Sequence, residues 1–242
     1  MLLRAQSLTS PGSKSTQRPI GAADEFSRCR ANSRIPVWTL LGTGLDPNQS
    51  TLPNRVPLFP TETRWKVPHM SETAGYSVKE RLRDGRELEI RALRPEDQAD
   101  MLAAIGRTGT QSLQRRFFVA KRGFSDREIA FFMNIDFINH VALVALVAEN
   151  EQPTIAGGGR YIVVQPGRAE VAFLVVDGYQ GLGIGSALAR HLTGLARQSG
   201  LEELVADVLP ENTAMLKLFK RFGFTPGPKR EPQVIHLVLR LA

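Results

Sequence analysis

From residue 78 onward, apolar and polar positions follow the periods of strands and helices. Residues 78–82 and 88–93 flank Asp84 and Gly85, and they predict a β-hairpin with a two-residue turn. Continuous apolar runs or strong alternation predict four later strands, at residues 142–148, 155–164, 171–176 and 204–209. Residues 234–241 alternate in polarity and predict a half-exposed final strand.

Helical patterns fill the intervals between these strands. Pro95 opens a first predicted helix, residues 111–118 form a second, and a capping box of Ser125 and Glu128 begins a third. A longer helix follows, with apolar residues at helical spacing at Ile184, Leu188, Leu192 and Leu195. The last predicted helix runs from Asn212 to Gly223. The pattern as a whole predicts one mixed α/β domain over residues 78–242.

Residues 1–69 show neither period. They hold eight of the fifteen prolines and many Ser, Thr, Asn and Gly residues, so we expect a disordered segment. The composition changes abruptly at Met70, which suggests that Met70 is the natural start and that the preceding residues are a mis-assigned extension. The first residues also weakly resemble a transit peptide, because they contain Arg and Ser and few acidic residues.

The formal net charge of +7 changes this picture little. Residues 1–69 hold nine Lys or Arg against four Asp or Glu, so most of the excess lies outside the predicted domain. That distribution argues against a nucleic-acid-binding surface on the domain. No apolar run is long enough to span a membrane. The single cysteine, Cys29, rules out an intrachain disulfide and a cysteine-based metal site, and it fits a reducing compartment such as the cytoplasm.

The richest local signal is the run Gln180-Gly181-Leu182-Gly183-Ile184-Gly185 between a predicted strand and a predicted helix. Such a turn gathers backbone N–H groups in front of the positive end of the helix dipole, which favours a phosphate group. Glycines leave room for the anion to approach. By itself the run is also compatible with a plain tight turn, since short glycine patterns recur by chance.

This run and the later segment from Asn212 to Gly223-Phe224 together resemble the GNAT superfamily of acetyl-CoA-dependent N-acyltransferases. The first matches that family's pyrophosphate loop and the second its Asn-containing helix. The resemblance implies the GNAT fold, a mixed, mostly antiparallel twisted sheet flanked by helices. The arrangement Ile90-Arg91, Leu93-Arg94-Pro95-Glu96-Asp97 is similar to the acetyltransferase domain of bacterial protein lysine acetyltransferases.

The resemblance implies a site for acetyl-CoA. Backbone amides from Gln180 through Gly181, Leu182, Gly183 and Ile184 to Gly185 would hold the pyrophosphate. The strand before this loop would separate from its neighbour, and the pantetheine arm would bond to the backbone of Phe173, Leu174 and Val175 in the gap. Asn212 would reach the same arm, although an ordinary helix cap explains that residue equally well.

Glu170 is the candidate general base, because relatives often place a glutamate here. Its apolar neighbours suggest partial burial and a raised pKa. The position where many relatives have a proton-donating tyrosine holds Phe219, so the thiolate would leave unaided. His140 and His191 are expected to be structural or on the surface. His236 is a weak candidate for the acceptor side.

The predicted reaction is direct attack of a primary amine on acetyl-CoA in a ternary complex, without a metal. The acceptor is open between a protein lysine and a small-molecule amine. A non-catalytic acyl-CoA sensor is an alternative that the presence of Glu170 disfavours. We expect no nucleic-acid or membrane partner, and a monomer or homodimer.

Overall fold

The computed structural model describes residues 73–121, 123–150, 152–228 and 233–241. The predictions of disorder for residues 1–69 and of a natural start at Met70 lie outside these residues and remain predictions. Within the described residues, no helix combines the length and the apolar composition that crossing a membrane requires.

The described residues form eight strands and five α-helices. The strands are β1 (Ser77–Arg81), β2 (Glu87–Ala92), β3 (His140–Glu149), β4 (Gln152–Gln165), β5 (Arg168–Val175), β6 (Glu203–Val208), β7 (Thr225–Pro226) and β8 (Ile235–Arg240). The helices are α1 (Gln98–Gly106), α2 (Thr110–Phe117), α3 (Asp126–Met133), α4 (Ile184–Gln198) and α5 (Thr213–Arg221). Short 3₁₀ turns at Pro95–Asp97 and Asp177–Tyr179 precede α1 and the glycine loop.

All eight strands join in one sheet, in the order β1-β2-β3-β4-β5-β6-β8-β7. Every neighbouring pair is antiparallel except β5 and β6, which run parallel. Helix α4 lies in the connection from β5 to β6 and forms the crossover that a parallel pair of strands requires. The predicted mixed, mostly antiparallel sheet flanked by helices is confirmed.

The parallel pair β5 and β6 separates soon after it begins. The two strands are in register only at Arg168 with Glu203, Ala169 with Leu204, and Glu170 with Val205. Beyond Glu170, β5 stays paired with β4 as far as Val175, and β6 stays paired with β8 as far as Val208. A gap therefore opens between the two halves of the sheet, as the family resemblance predicted.

The core under β5 depends on α4. Ile184, Leu188 and Leu192 are among the largest fully buried side chains, and Leu195 is also buried, which confirms the helical spacing read from the sequence. A Leu or Ile side chain contributes about 1.5–3 kcal/mol when fully buried. This apolar stripe fixes α4, and with it the loop that precedes the helix, against the sheet.

Two predicted details differ from the structure. The β1–β2 connection has three residues rather than two, because Leu82 N–H bonds to the Arg86 carbonyl and Gly85 closes the loop at φ +87°. Such a loop places a residue in the left-handed region before the second strand, a role suited to glycine. The final strand is less exposed than predicted, because β8 lies between β6 and β7 and buries both His236 and Leu237.

Two glycines provide a matched test of this packing. A Cβ on Gly159 would lie 2.6 Å from Phe173 Cδ1 and 2.8 Å from Leu192 Cδ1, whereas one on Gly194 in α4 would meet nothing within 4 Å. We expect Gly159→Ala to lower the free energy of unfolding by about 1–3 kcal/mol through overpacking. Gly194→Ala should raise it by up to about 1 kcal/mol, because alanine favours the helix.

Urea denaturation of both variants beside the unsubstituted protein measures these changes. An unchanged stability of the Gly159 variant would show that β5 does not pack as closely on β4 and α4 as described.

Candidate active site

The glycine loop has the geometry of an anion site. Gly181 has φ +80° and Gly183, the N-cap of α4, has φ +100°, so both lie in the left-handed region that favours glycine. The N-cap residue Gly183 supplies no side-chain cap to the first turn of α4, and a Cβ on either glycine would meet nothing within 4 Å. Within the described residues, the first N–H groups of the helix therefore face the cleft without a side-chain cap, and a phosphate group fits them.

The Gln180 side chain fastens this loop to the rest of the fold. Its Nε2 donates to the Val175 carbonyl over 3.1 Å and to Asp177 Oδ1 over 2.9 Å. Asp177 in turn accepts from the Gly109 N–H over 3.0 Å and from Ser112 Oγ over 2.6 Å, at the start of α2. These bonds hold the loop in place before any ligand arrives, so the Gln180 side chain positions the loop.

One cleft of about 570 Å³ connects this loop to the gap between β5 and β6. It brings together all the predicted site residues except Leu182, which does not line it. The lining members are Glu170, Phe173, Leu174, Val175, Gln180, Gly181, Gly183, Ile184, Gly185 and Asn212.

The edge of β5 that faces the gap forms one long wall of the cleft. From Val171 to Val175 this edge has no β6 partner, although β4 pairs with the opposite edge. An extended chain of the length of pantetheine finds backbone donors and acceptors along it, as an added strand would. The observed edge therefore fits the arm of acetyl-CoA.

Glu170 lies at the closed end of the gap. It is the last residue of β5 in register with β6, and only 6% of its surface is exposed. Burial lowers the pKa of Arg116 in α2 to about 10, and the nearby charge of Glu170 opposes that shift. The guanidinium of Arg116 is thus charged at neutral pH and lies close enough to Glu170 for their charges to interact.

Asn212 caps α5, as the simpler interpretation of its position predicted. Its side-chain oxygen accepts from the Met215 N–H over 3.2 Å. The residue also lines the cleft, so its role toward a ligand stays a prediction.

No tyrosine in this cleft is suited to donate a proton. Phe219 is 2% exposed and packs its ring 5.9 Å from Phe173 and 4.6 Å from Phe224. Tyr179 lines the cleft, but desolvation raises its pKa to about 12. Tyr161 bonds to Ser199, and burial likewise raises its pKa to about 12.

Several cations at the cleft were missed by the sequence analysis. Arg83, Arg115 and Arg116 line it from the β1–β2 loop and α2, while Lys217 and Arg221 line it from α5. The net charge of the domain did not reveal these cations, because acidic residues elsewhere in the domain offset their positive charge. The spacing of Lys217 and Arg221 by four residues on one helix was the available signal.

The three histidines within the described residues occupy different environments. His140 donates from Nδ1 to the Asn134 carbonyl and accepts at Nε2 from Arg160, and burial lowers its pKa to about 3. His191 bonds to Tyr76 and Glu80, away from the cleft. His236 is buried and bonds through Nδ1 to Asp207 over 2.7 Å, and Asp207 lines the cleft. In the described part of the chain, no three His, Cys, Asp or Glu residues are grouped to hold a metal.

Comparisons with known proteins agree with this geometry. The model of the acetyltransferase (GNAT) family matches residues 109–224. An acetyltransferase of Pseudomonas aeruginosa is 34% identical over 160 residues, which cover 65% of this chain and 86% of that protein.

Two further relatives are similar to the same domain. Acetyltransferase Pat of Mycolicibacterium smegmatis is 30% identical over 146 residues, 59% of this chain, and the match spans less than half of Pat, at 42%. The crystal structure of the GNAT domain of S. lividans PAT superposes with a TM-score of 0.63 at 29% identity, covering 68% of this chain and 96% of that domain.

The cleft, the loop and these relatives lead to one assignment. The chain belongs to the acetyltransferase (GNAT) family, and it is an acetyltransferase whose cosubstrate is acetyl-CoA.

Proposed function

We propose that this enzyme transfers the acetyl group of acetyl-CoA to a primary amine, and that the amine is the side chain of a protein lysine. The observation that carries the proposal is the continuous cleft from the glycine loop, along the free edge of β5, to Glu170. A ligand held at its phosphates by the loop and along its arm by β5 ends beside a buried carboxylate.

Different residues of the cleft would bind different parts of acetyl-CoA. Amides from Gln180 to Gly185 receive the pyrophosphate, and the edge of Phe173–Val175 bonds to the pantetheine arm. Lys217 and Arg221 lie on the exposed side of α5 and are placed for a further phosphate group. When bound, acetyl-CoA supplies an acetyl group activated as a thioester.

Glu170 provides the proton acceptor. A lysine amine has a pKa of about 10.4, so nearly all of it is protonated at neutral pH. Glu170 removes a proton from the ammonium, directly or through one water, and the free amine then attacks the thioester carbonyl. General-base catalysis of this kind contributes roughly 10²–10⁴ in rate. A backbone N–H of β5, that of Phe173 or a neighbour, stabilises the charge that develops on the carbonyl oxygen.

The leaving group departs as a thiolate. Phe219 has no proton to give, and the raised pKa of Tyr179 makes its hydroxyl a poor donor. A free thiol has a pKa of about 8.5, so the thiolate is a stable enough leaving group to depart without a proton donor. It then takes, directly or through water, the second proton that the attacking nitrogen loses as the amide forms, and Glu170 returns its own proton to solvent.

The choice of a protein lysine rests on likeness. The domain resembles bacterial protein lysine acetyltransferases in its segment from Ile90 to Asp97 and in its glycine loop, and it covers nearly all of the S. lividans PAT domain. Small-molecule amines are the alternative acceptors. A cytoplasmic location and a monomeric or dimeric state remain predictions.

Thiol release from acetyl-CoA, measured against pools of small amines and against host protein lysates, tests the acceptor. Release with lysate proteins and acetyl-lysine in the products is the expected result. Release with a small-amine pool alone would replace the lysine assignment, and binding of acetyl-CoA without release from any pool would indicate a sensor.

Gly183→Trp tests the loop assignment. A side chain at φ +100° is strained, and an indole there covers the N–H groups of the α4 terminus. We expect calorimetric titration to show loss of acetyl-CoA binding while the circular dichroism spectrum persists. Gly106→Trp, at an exposed position with a negative φ and open space around it, is the matched control and should bind normally. Unchanged affinity in the Gly183 variant would refute the loop site.

Glu170→Gln tests the base. We expect turnover at neutral pH to fall by roughly 10²–10⁴. The loss should shrink as pH rises toward the amine pKa, because the acceptor then deprotonates without help. Steady-state rates across this pH range measure the effect, with exposed Glu96→Gln as the control. A loss that is equal at every pH would assign Glu170 a positioning role instead.

A further inference from the structure

Asp207 lines the cleft from β6, opposite β5, and is paired with the buried His236 of β8. His236 Nδ1 donates to Asp207 Oδ1 over 2.7 Å, across the register pair that joins β6 to β8. The side chain of His236 is 3% exposed and that of Asp207 is 13% exposed. The mechanism described above uses neither residue.

The register places Asp207 on the same face of the sheet as Glu170. Glu170 is paired with Val205, and Asp207 follows Val205 by two residues, so their side chains leave the same face. Both carboxylates line the cleft, Glu170 from β5 and Asp207 from β6.

Asp207 is held so that one oxygen remains for a ligand. Oδ1 is bonded to His236, and within the residues that the structure describes Oδ2 makes no hydrogen bond. His236 itself has little freedom, since its carbonyl accepts from the Gly227 N–H over 2.9 Å, and a Cβ on Gly227 would lie 2.7 Å from its ring.

Asp207 shares the lining of the cleft with several cations. Arg115 and Arg116 line it from α2, on the β5 side, and Lys217 and Arg221 line it from α5. Asp207 is the acidic residue that β6 contributes to the lining. A fixed carboxylate in a partly desolvated wall favours a cationic hydrogen-bond donor over a neutral one.

We propose that Asp207, oriented by His236, binds the ammonium form of the acceptor and delivers it to Glu170. Asp207 Oδ2 accepts a hydrogen bond from the ammonium, and Glu170 accepts the proton that must leave before attack. His236 is a positioning residue, because it acts through Asp207. The proposal rests on the proposed function and adds to it that the enzyme selects acceptors that arrive charged.

Two probes of nearly equal size separate charge from shape. Butylamine is an ammonium ion at neutral pH, and O-propylhydroxylamine is uncharged there. Their binding to the full chain saturated with coenzyme A is measured by NMR titration, which requires no turnover. We expect the unsubstituted protein to bind butylammonium more tightly, and Asp207→Asn to weaken that binding roughly 10- to 100-fold while leaving the neutral probe unchanged.

The matched variants isolate the pair. Asp100→Asn, at an exposed position in α1, should change neither probe. His236→Leu should lose the preference for charge, whereas His236→Gln, whose amide can donate to Asp207, should keep part of it. With the acceptor from the thiol-release assay, the Asp207 variant should raise KM far more than it lowers kcat.

Several outcomes would overturn the proposal. For the unsubstituted protein, these outcomes are equal binding of both probes or no binding of butylammonium. For Asp207→Asn, one such outcome is an equal weakening of both probes. Another is a change only in the affinity for acetyl-CoA, which would place Asp207 against pantetheine. If Asp207→Asn does not fold, the binding of the two probes to the unsubstituted protein and to His236→Gln still tests the proposal. Failure of the unsubstituted protein to bind acetyl-CoA would instead refute the proposed function.

Discussion

The separation of β5 from β6 is the constraint on which the rest of this structure depends. A strand inside a sheet normally satisfies its backbone groups on both edges, but from Val171 onward β5 has a partner on one side only. An exposed strand edge invites another extended chain. Here the glycine loop, the cleft and Glu170 all lie along that edge.

Aromatic and glycine residues pack closely against β5. The Phe219 ring contacts both Phe173 of β5 and Phe224 after α5, in a tilted and an edge-to-face arrangement. Gly159 allows β4 and α4 to approach Phe173 closely, since a side chain there would overlap with its ring. A tyrosine at position 219 would place a hydroxyl in this apolar cluster at a cost in desolvation. Phenylalanine therefore favours the packing at the expense of a proton donor.

The positions of the charged residues in the cleft matter more than their net charge. The exposed cations Lys217 and Arg221 line the cleft from α5, and the carboxylates Glu170 and Asp207 line it from β5 and β6. In the proposed function, the ligand's phosphates and the acceptor's ammonium would meet complementary groups in different parts of this cleft. The formal net charge of the chain describes none of this.

Local patterns determined the elements and the loop from sequence alone. The apolar stripe of α4, the capping box at Ser125 and the glycine-rich turn before α4 depend on neighbours in the chain, so the spacing of residues was enough to predict them. The candidate base and the ligand-binding strand came from the family resemblance, and the structure brings them to one cleft.

Tertiary structure alone decided the contacts between distant segments. The pairing of Asp207 with His236, the cations that join the cleft from the β1–β2 loop, α2 and α5, and the burial of β8 depend on strand order and register. Strand order and register bring together residues that are far apart in the chain, and the local spacing of apolar residues does not encode either of them.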